Sequence, residues 1–153
     1  MPRVPSRSLV QATMELDEFV RTCEEAWQVF VTGDPGPAMP LFSRRDDVTL
    51  ANPWGPAVTG WVDVSRTLEA AAGHFRDGRL SAFDVLTKFV APDLACFHEI
   101  ERGEARIGDR SELESFALRV TSIYRREDGD WRIVLRHADP LVGARAVDAT
   151  MSA

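Results

Sequence analysis

Reactive side chains are scarce in this chain of 153 residues, which holds three His, two Cys and a single Tyr. Two cysteines allow at most one bridge and no paired Cys/His cage, so neither a disulfide scaffold nor a zinc-built fold is available. No stretch approaches the roughly 18 consecutive apolar residues of a membrane-spanning helix. The start, MPRVPSRSLVQATMELDEF, has two Arg but no apolar run of signal-peptide length. Positive charge is also short: Lys plus Arg number 18 against 24 Asp plus Glu, a formal net charge of -6. Nucleic-acid affinity comes largely from basic side chains that release counterions, and anionic membranes need the same groups, so neither partner is expected. A cytoplasmic location with both cysteines reduced and buried, Cys23 and Cys96 each falling inside an apolar pattern, is the expectation.

What is present is the balance of one soluble domain, 44% hydrophobic and 27% charged. The spacing of Leu16, Phe19, Val20, Cys23, Ala26, Trp27 and Phe30 predicts an amphipathic helix over residues 14–31, capped by Thr13 and stopped by Gly33 and Pro35. The Pro-rich stretch after it leaves room only for a turn of helix at 38–42. A strand over 48–52 must end at Pro53, and a second extended piece follows at 58–61. Val64, Leu68, Ala71, Ala72 and Phe75 form one stripe of a second helix over 63–75, closed by Asp77-Gly78. Extended segments then run over 81–91, 94–105, 113–126 and 131–140, with Asp128-Gly129 as a hairpin turn. Helices first and an antiparallel meander after them make an α+β layout, the helices covering one face of a curved sheet. The domain is expected over residues 14–141, with an N-terminal extension at 1–13 and a flexible C-terminal tail at 142–153.

Three segments carry a resemblance: the long first helix ending in GD, then SRRDDVTLANPWGPAVTGW, then LRVTSIYRREDGDWRIVLRHADP. In these and in element order the chain resembles the nuclear transport factor 2-like superfamily, the cone-shaped fold of ketosteroid isomerase and SnoaL-like polyketide cyclases. Its last segment is also similar to the association domain of calcium/calmodulin-dependent kinase. The resemblance implies a curved antiparallel sheet wrapped around the first helix, a deep apolar pocket between them, and a homodimer formed through the sheet. It does not carry over the isomerase machinery, an Asp base with a Tyr and a protonated Asp as oxyanion hole. The base position matches Asn52, whose amide cannot take a proton. The helix position of the Tyr holds Ala26 and Trp27, and the hairpin Asp matches Ser122, or Thr121 after a one-residue slip. Turnover of a steroid by that machinery is therefore not expected.

The candidate ligand-binding residues are Asn52 and Trp54 at the turn, Ser122, Tyr124 and Arg136 on the closing hairpin, and Arg119 and His137 as their register neighbours. Asn52 donates and accepts hydrogen bonds, Trp54 stacks, and an arginine fork matches two carboxylate oxygens. On the hairpin, Ser122, Tyr124, Arg136 and Ala138 share the alternation parity that the resemblance assigns to the pocket side, and Arg119, Thr121, His137 and Asp139 share the other. A one-residue slip exchanges the two sets, so either faces the pocket. Arg119 and Arg136 also suit cross-strand pairs with Glu99, Glu101 or Asp139. His137 and Asp139 share a strand face, but no HxH or HxxE spacing is present, and no metal or cofactor is expected. The expected ligand is a small apolar metabolite with a carbonyl or carboxylate, bound or converted by an isomerase, cyclase or hydrolase. The alternative is a non-catalytic homodimerisation module. An open cavity of several hundred cubic ångströms, roughly 300–1,000 Å³, with buried Arg, Asn or His would favour a ligand, and one packed shut by Trp27, Tyr124 and Phe side chains would count against it.

Overall fold

Among the described residues, two helices and six strands follow one another as α1 (Leu9–Phe30), a 3-10 turn (Met39–Leu41), β1 (Thr49–Ala51), β2 (Val58–Thr59), α2 (Trp61–Ala72), β3 (Phe75–Val90), β4 (Leu94–Ile107), β5 (Glu114–Glu127) and β6 (Asp130–Pro140). The structure, a computed structural model, describes residues 9–141 and 143. Of the expected terminal segments, residues 1–8, 142 and 144–153 lie outside the described residues.

α1 begins at Leu9, earlier than the apolar spacing marks, because no Gly or Pro stands between Ser8 and Thr13 to stop it; Thr13 therefore lies inside the helix. Leu16, Cys23, Ala26, Trp27 and Phe30 are buried, while Glu18, Arg21 and Glu25 face solvent. Just past the helix Gly33 takes φ +109°, a left-handed conformation, and its N–H donates to the Phe30 carbonyl at 3.0 Å.

The strands form one six-stranded sheet in the order β2-β1-β6-β5-β4-β3. All neighbours are antiparallel except β1 and β6, which run parallel, so the sheet is mixed rather than a pure meander. Three register shifts along β3, between Arg76 and Arg79, Leu80 and Ala82, and Val85 and Thr87, bend the sheet into an unclosed cone around α1. Gln28 of α1 meets backbone at the middle bulge, donating to the Leu80 carbonyl at 2.7 Å and accepting from the Leu80 N–H at 3.0 Å.

Further boundaries differ from the sequence pattern: β2 stops at Thr59, and α2 takes up Trp61 as its first residue. α2 ends at Ala72 with Gly73 as its cap, and Phe75 opens β3 instead of completing the helix stripe. Asp77-Gly78, which reads as a helix stop, is the first bulge of β3: Asp77 has φ 54°, and the Gly78 N–H donates to the Val31 carbonyl at 3.0 Å. The hairpin turn at Asp128-Gly129 has positive φ at both residues, 52° and 90°, the geometry that matches strand twist. Behind it, Arg125 donates to both oxygens of Asp47, at 2.7 and 2.9 Å, tying the segment before β1 to the sheet. Those bonds hold the Asp47 carboxyl below the usual carboxylate range.

Candidate functional site

The concave face of the sheet takes one side of each strand's alternation. On β4 that side carries Ala95, Phe97, Glu99 and Glu101, all buried. On the closing hairpin it carries Ser122, Tyr124, Arg136 and Ala138, also buried, so this is the parity that faces α1. Two carboxylates and a guanidinium thus lie on a face whose other polar groups are the hydroxyls of Ser122 and Tyr124.

Arg136 and Glu101 meet over β5, which separates their strands. Arg136 Nη1 donates to Glu101 Oε1 and Nη2 to Oε2, each at 2.9 Å, and neither side chain is more than 9% exposed. The Trp27 ring of α1 lies with its centroid 4.0 Å from the guanidinium carbon. Burial works against the charge of Arg136, and Glu101 together with Glu99 offsets it, so its pKa is raised.

This pair forms the floor of a cavity of about 50 Å³ with Trp27, Phe30, Leu68, Phe75 and Phe116 among its walls. Asn52, Pro53 and Trp54 stand at its mouth. Asn52 Oδ1 accepts the Trp54 N–H at 3.0 Å, which folds the chain back after β1 and sets the indole over the opening. The Trp54 ring lies 5.2 Å from the rings of both His74 and Phe75 and is 47% exposed. It also borders a space of about 260 Å³ against Thr67 and His74 of the α2 side, and one of about 180 Å³ against Phe116, Leu118 and Pro140. One half-exposed ring therefore divides three neighbouring spaces.

Of the seven residues singled out by sequence, the structure brings Asn52, Trp54 and Arg136 to this cavity. Ser122 and Tyr124 share the concave face but lie where it is packed shut. Tyr124 sits edge-on to Phe19 and Phe97, with centroids at 5.5 and 5.3 Å. Burial pushes its hydroxyl well above the ordinary tyrosine value. Arg119 and His137 lie on the opposite, outer face, more than half exposed, each toward Asp139 at 3.9 and 3.0 Å. There they border or adjoin a groove of about 540 Å³ lined by Thr121, Leu135, His137 and Asp139. His98 is on this face too, its Nδ1 2.9 Å from Thr121 Oγ1. Among the described residues no three His, Cys, Asp or Glu side chains gather as a metal site.

Glu101 is the residue that sequence reasoning placed only as an ion-pair partner. Its signal was the alternation of β4, where two acids interrupt an apolar face. The other acid, Glu99, has its carboxyl pushed up to about 7 by burial and by Glu101, with Arg136 opposing. Burial and Glu101 also raise Glu24 on α1, and burial raises the Cys23 thiol, which is free. One arginine thus stands among three carboxylates.

A family model for the SnoaL-like domain matches residues 21–142, and the chain belongs to that family. Its fold is shared with solved structures. A Thiobacillus denitrificans protein, provisionally assigned as a calcium/calmodulin-dependent protein kinase type II association domain, is 25% identical over 82% of this chain and 94% of its own, with a TM-score of 0.63. A nuclear transport factor 2-like protein of Streptomyces avermitilis, provisionally assigned as a dehydratase, is 18% identical over 89% of this chain and all (100%) of its own, with a TM-score of 0.73. A ketosteroid isomerase-like protein of Erwinia carotovora atroseptica is 14% identical over 85% of this chain and 96% of its own, with a TM-score of 0.69. No curated protein matches the chain in sequence.

Proposed function

We propose that the chain binds a small, largely apolar metabolite with a carbonyl or carboxylate, held between α1 and the concave face. Arg136 and Glu101 form the polar floor, and Asn52 and Trp54 the mouth. The observation that carries this reading is the buried ion pair under apolar walls. Ion burial is costly and a hydrophobic pair of like volume is often as stable, whereas a few polar groups in an apolar cleft are the usual make-up of a ligand site.

A cavity of about 50 Å³ is smaller than the roughly 300–1,000 Å³ of metabolite sites, so the reading includes an opening movement. Trp54 is the wall that the three spaces share, and it is held by ring contacts and one turn rather than by a regular element. Swinging it outward joins them into a site of metabolite size. If a reaction follows, its proton carrier is Glu101, the carboxylate that lines the cavity, since the amide of Asn52 has no useful basicity.

The test is a thermal-shift screen of small ketones, alcohols, amides and carboxylates, because a saturating ligand stabilises the folded state. Hits that are weakened by Asn52→Ala and by Arg136→Met support the site. Hits indifferent to both substitutions, or a screen without hits, count against it. A second reading, self-association through the outer face, is favoured by the mixed charges of Arg119, Asp139 and His137 there, and it is compatible with the first.

A further inference from the structure

We infer that Glu101 sets the charge selectivity of this site, so that it takes a neutral head group that both donates and accepts hydrogen bonds (an alcohol, ketone hydrate or amide) and turns carboxylates away. The inference rests on the pocket reading above and narrows it.

An arginine at the floor of an apolar cavity would ordinarily invite a carboxylate, because its fork matches two oxygens. Here the fork is already filled. Both Nη atoms are engaged with the two oxygens of Glu101 at 2.9 Å, and Trp27 lies over the guanidinium at 4.0 Å. A ligand carboxylate would have to displace Glu101, whose side chain is only 3% exposed, or sit beside it. Sitting beside it means sharing one cation with a second anion, and Glu99 and Glu24 add further negative potential around the same pair. Cys23 and Tyr124, which also face Arg136, are held neutral by burial and leave that charge balance unchanged.

A neutral head meets neither difficulty. Each Nη keeps a second N–H, and each Glu101 oxygen keeps a lone pair, so a group with one donor and one acceptor uses both without breaking the pair. The Asn52 amide at the mouth offers the same two functions to the far end of the ligand. An ammonium would be drawn by the carboxylates, but it has no acceptor for the free N–H groups of Arg136 and would sit against that like charge with them unpaired, so only a neutral head uses both halves of the floor. Selectivity thus comes from a repulsive element as much as from an attractive one.

The experiment is a fragment set built as matched triples, each aryl or cycloalkyl scaffold carried as its primary amide, carboxylate and amine. Binding is read by calorimetry and thermal shift at pH 7.5. For wild type the amides should bind about tenfold or more tighter than their acids. Glu101→Gln frees the fork and should invert that order, the acids gaining affinity and also raising the melting temperature of this destabilised variant. Should that variant not fold, the doubly neutral Glu101→Gln/Arg136→Gln protein serves instead: it should keep the amides and gain no acid. Acids or amines that bind wild type as well as the amides overturn the selectivity while leaving the pocket standing. A set in which no triple binds either protein overturns the pocket reading, and this inference with it.

Discussion

Arg136 and Glu101 are joined by two parallel hydrogen bonds of 2.9 Å across an intervening strand, on a buried and mainly apolar face. Such a pair is costly to break from one side, because the partner stays buried and charged. Arg136→Met alone or Glu101→Leu alone should each lose about 3–5 kcal/mol of stability, while the double replacement should lose less than either. Urea denaturation of the four proteins closes the cycle, and additive single effects would show that the two residues do not act as a pair.

How much of this was readable beforehand depended on how local the signal was. The apolar stripe of α1 and the Asp128-Gly129 turn are local and were legible. The ends of α2 and β3 were not, because Asp77-Gly78 is chemically a helix stop and acts here as a bulge, held by a contact with distant Val31. The parity of the closing hairpin was ambiguous for a similar reason. The register shifts by one between Ile123 and Tyr124, opposite Val134, so consecutive Ile133 and Val134 are both buried. No pattern within one strand reveals a slip that only its partner defines. Asn52 was recognisable from its position in a family motif and Arg136 from its chemistry, whereas Glu101 becomes part of the site only once β4 and β6 are seen to flank β5.

The junction of α1 with β3 depends on two glycines. A Cβ on Gly33 would stand 2.9 Å from the Phe75 carbonyl oxygen and would have to accept φ +109°. One on Gly78 would run into the carbonyl of Val31, which is backbone and cannot rotate away. Gly33→Ala and Gly78→Ala should each destabilise by about 1–3 kcal/mol, with Gly78→Ala the worse. Thermal or urea unfolding checks the order, and wild-type stability for Gly78→Ala would contradict this packing.

Glu99 makes stability fall as pH rises across the slightly acidic range. Its carboxyl has an ordinary value of 4.5 and is pushed up to about 7 in the folded chain, by burial first and then by Glu101. Between those values the folded state binds more protons than the unfolded one, so stability declines with rising pH. The contribution is fully present below about 4.5, is lost through about 7, and amounts to up to ~3 kcal/mol. Glu99→Gln should flatten this slope and be more stable than wild type at pH 8. An unchanged slope would mean that Glu99 is ionised alike in both states.

Trp54 is the movable wall. Because its ring is 47% exposed, Trp54→Ala should cost only about 1 kcal/mol, while leaving a continuous apolar opening to the Arg136 floor. Nile red, a neutral dye that brightens in apolar surroundings, should bind that variant more tightly and faster than wild type. Trp54→Phe should fall between them. Equal uptake by all three proteins would show that access does not run past this ring.

On the outer face, Arg119 and Asp139 face each other at 3.9 Å while both remain about half exposed, an arrangement worth roughly 0–1 kcal/mol within one molecule. Paired across a two-fold axis and cut off from water, the same charges would be worth more, because an isologous contact lets each arginine meet its partner's aspartate. Light scattering should then give twice the 17.0 kDa chain mass at micromolar concentration. Asp139→Arg should shift the protein toward monomer, and Asp139→Arg with Arg119→Asp should restore the dimer by exchanging the signs. A monomer for wild type at 100 µM, about the weakest affinity such an assembly could use, would remove the self-association reading. A dimer indifferent to both charge variants would place its contact on another surface, with the exposed Val85, Leu86 and Phe89 of edge strand β3 as the next surface to mutate.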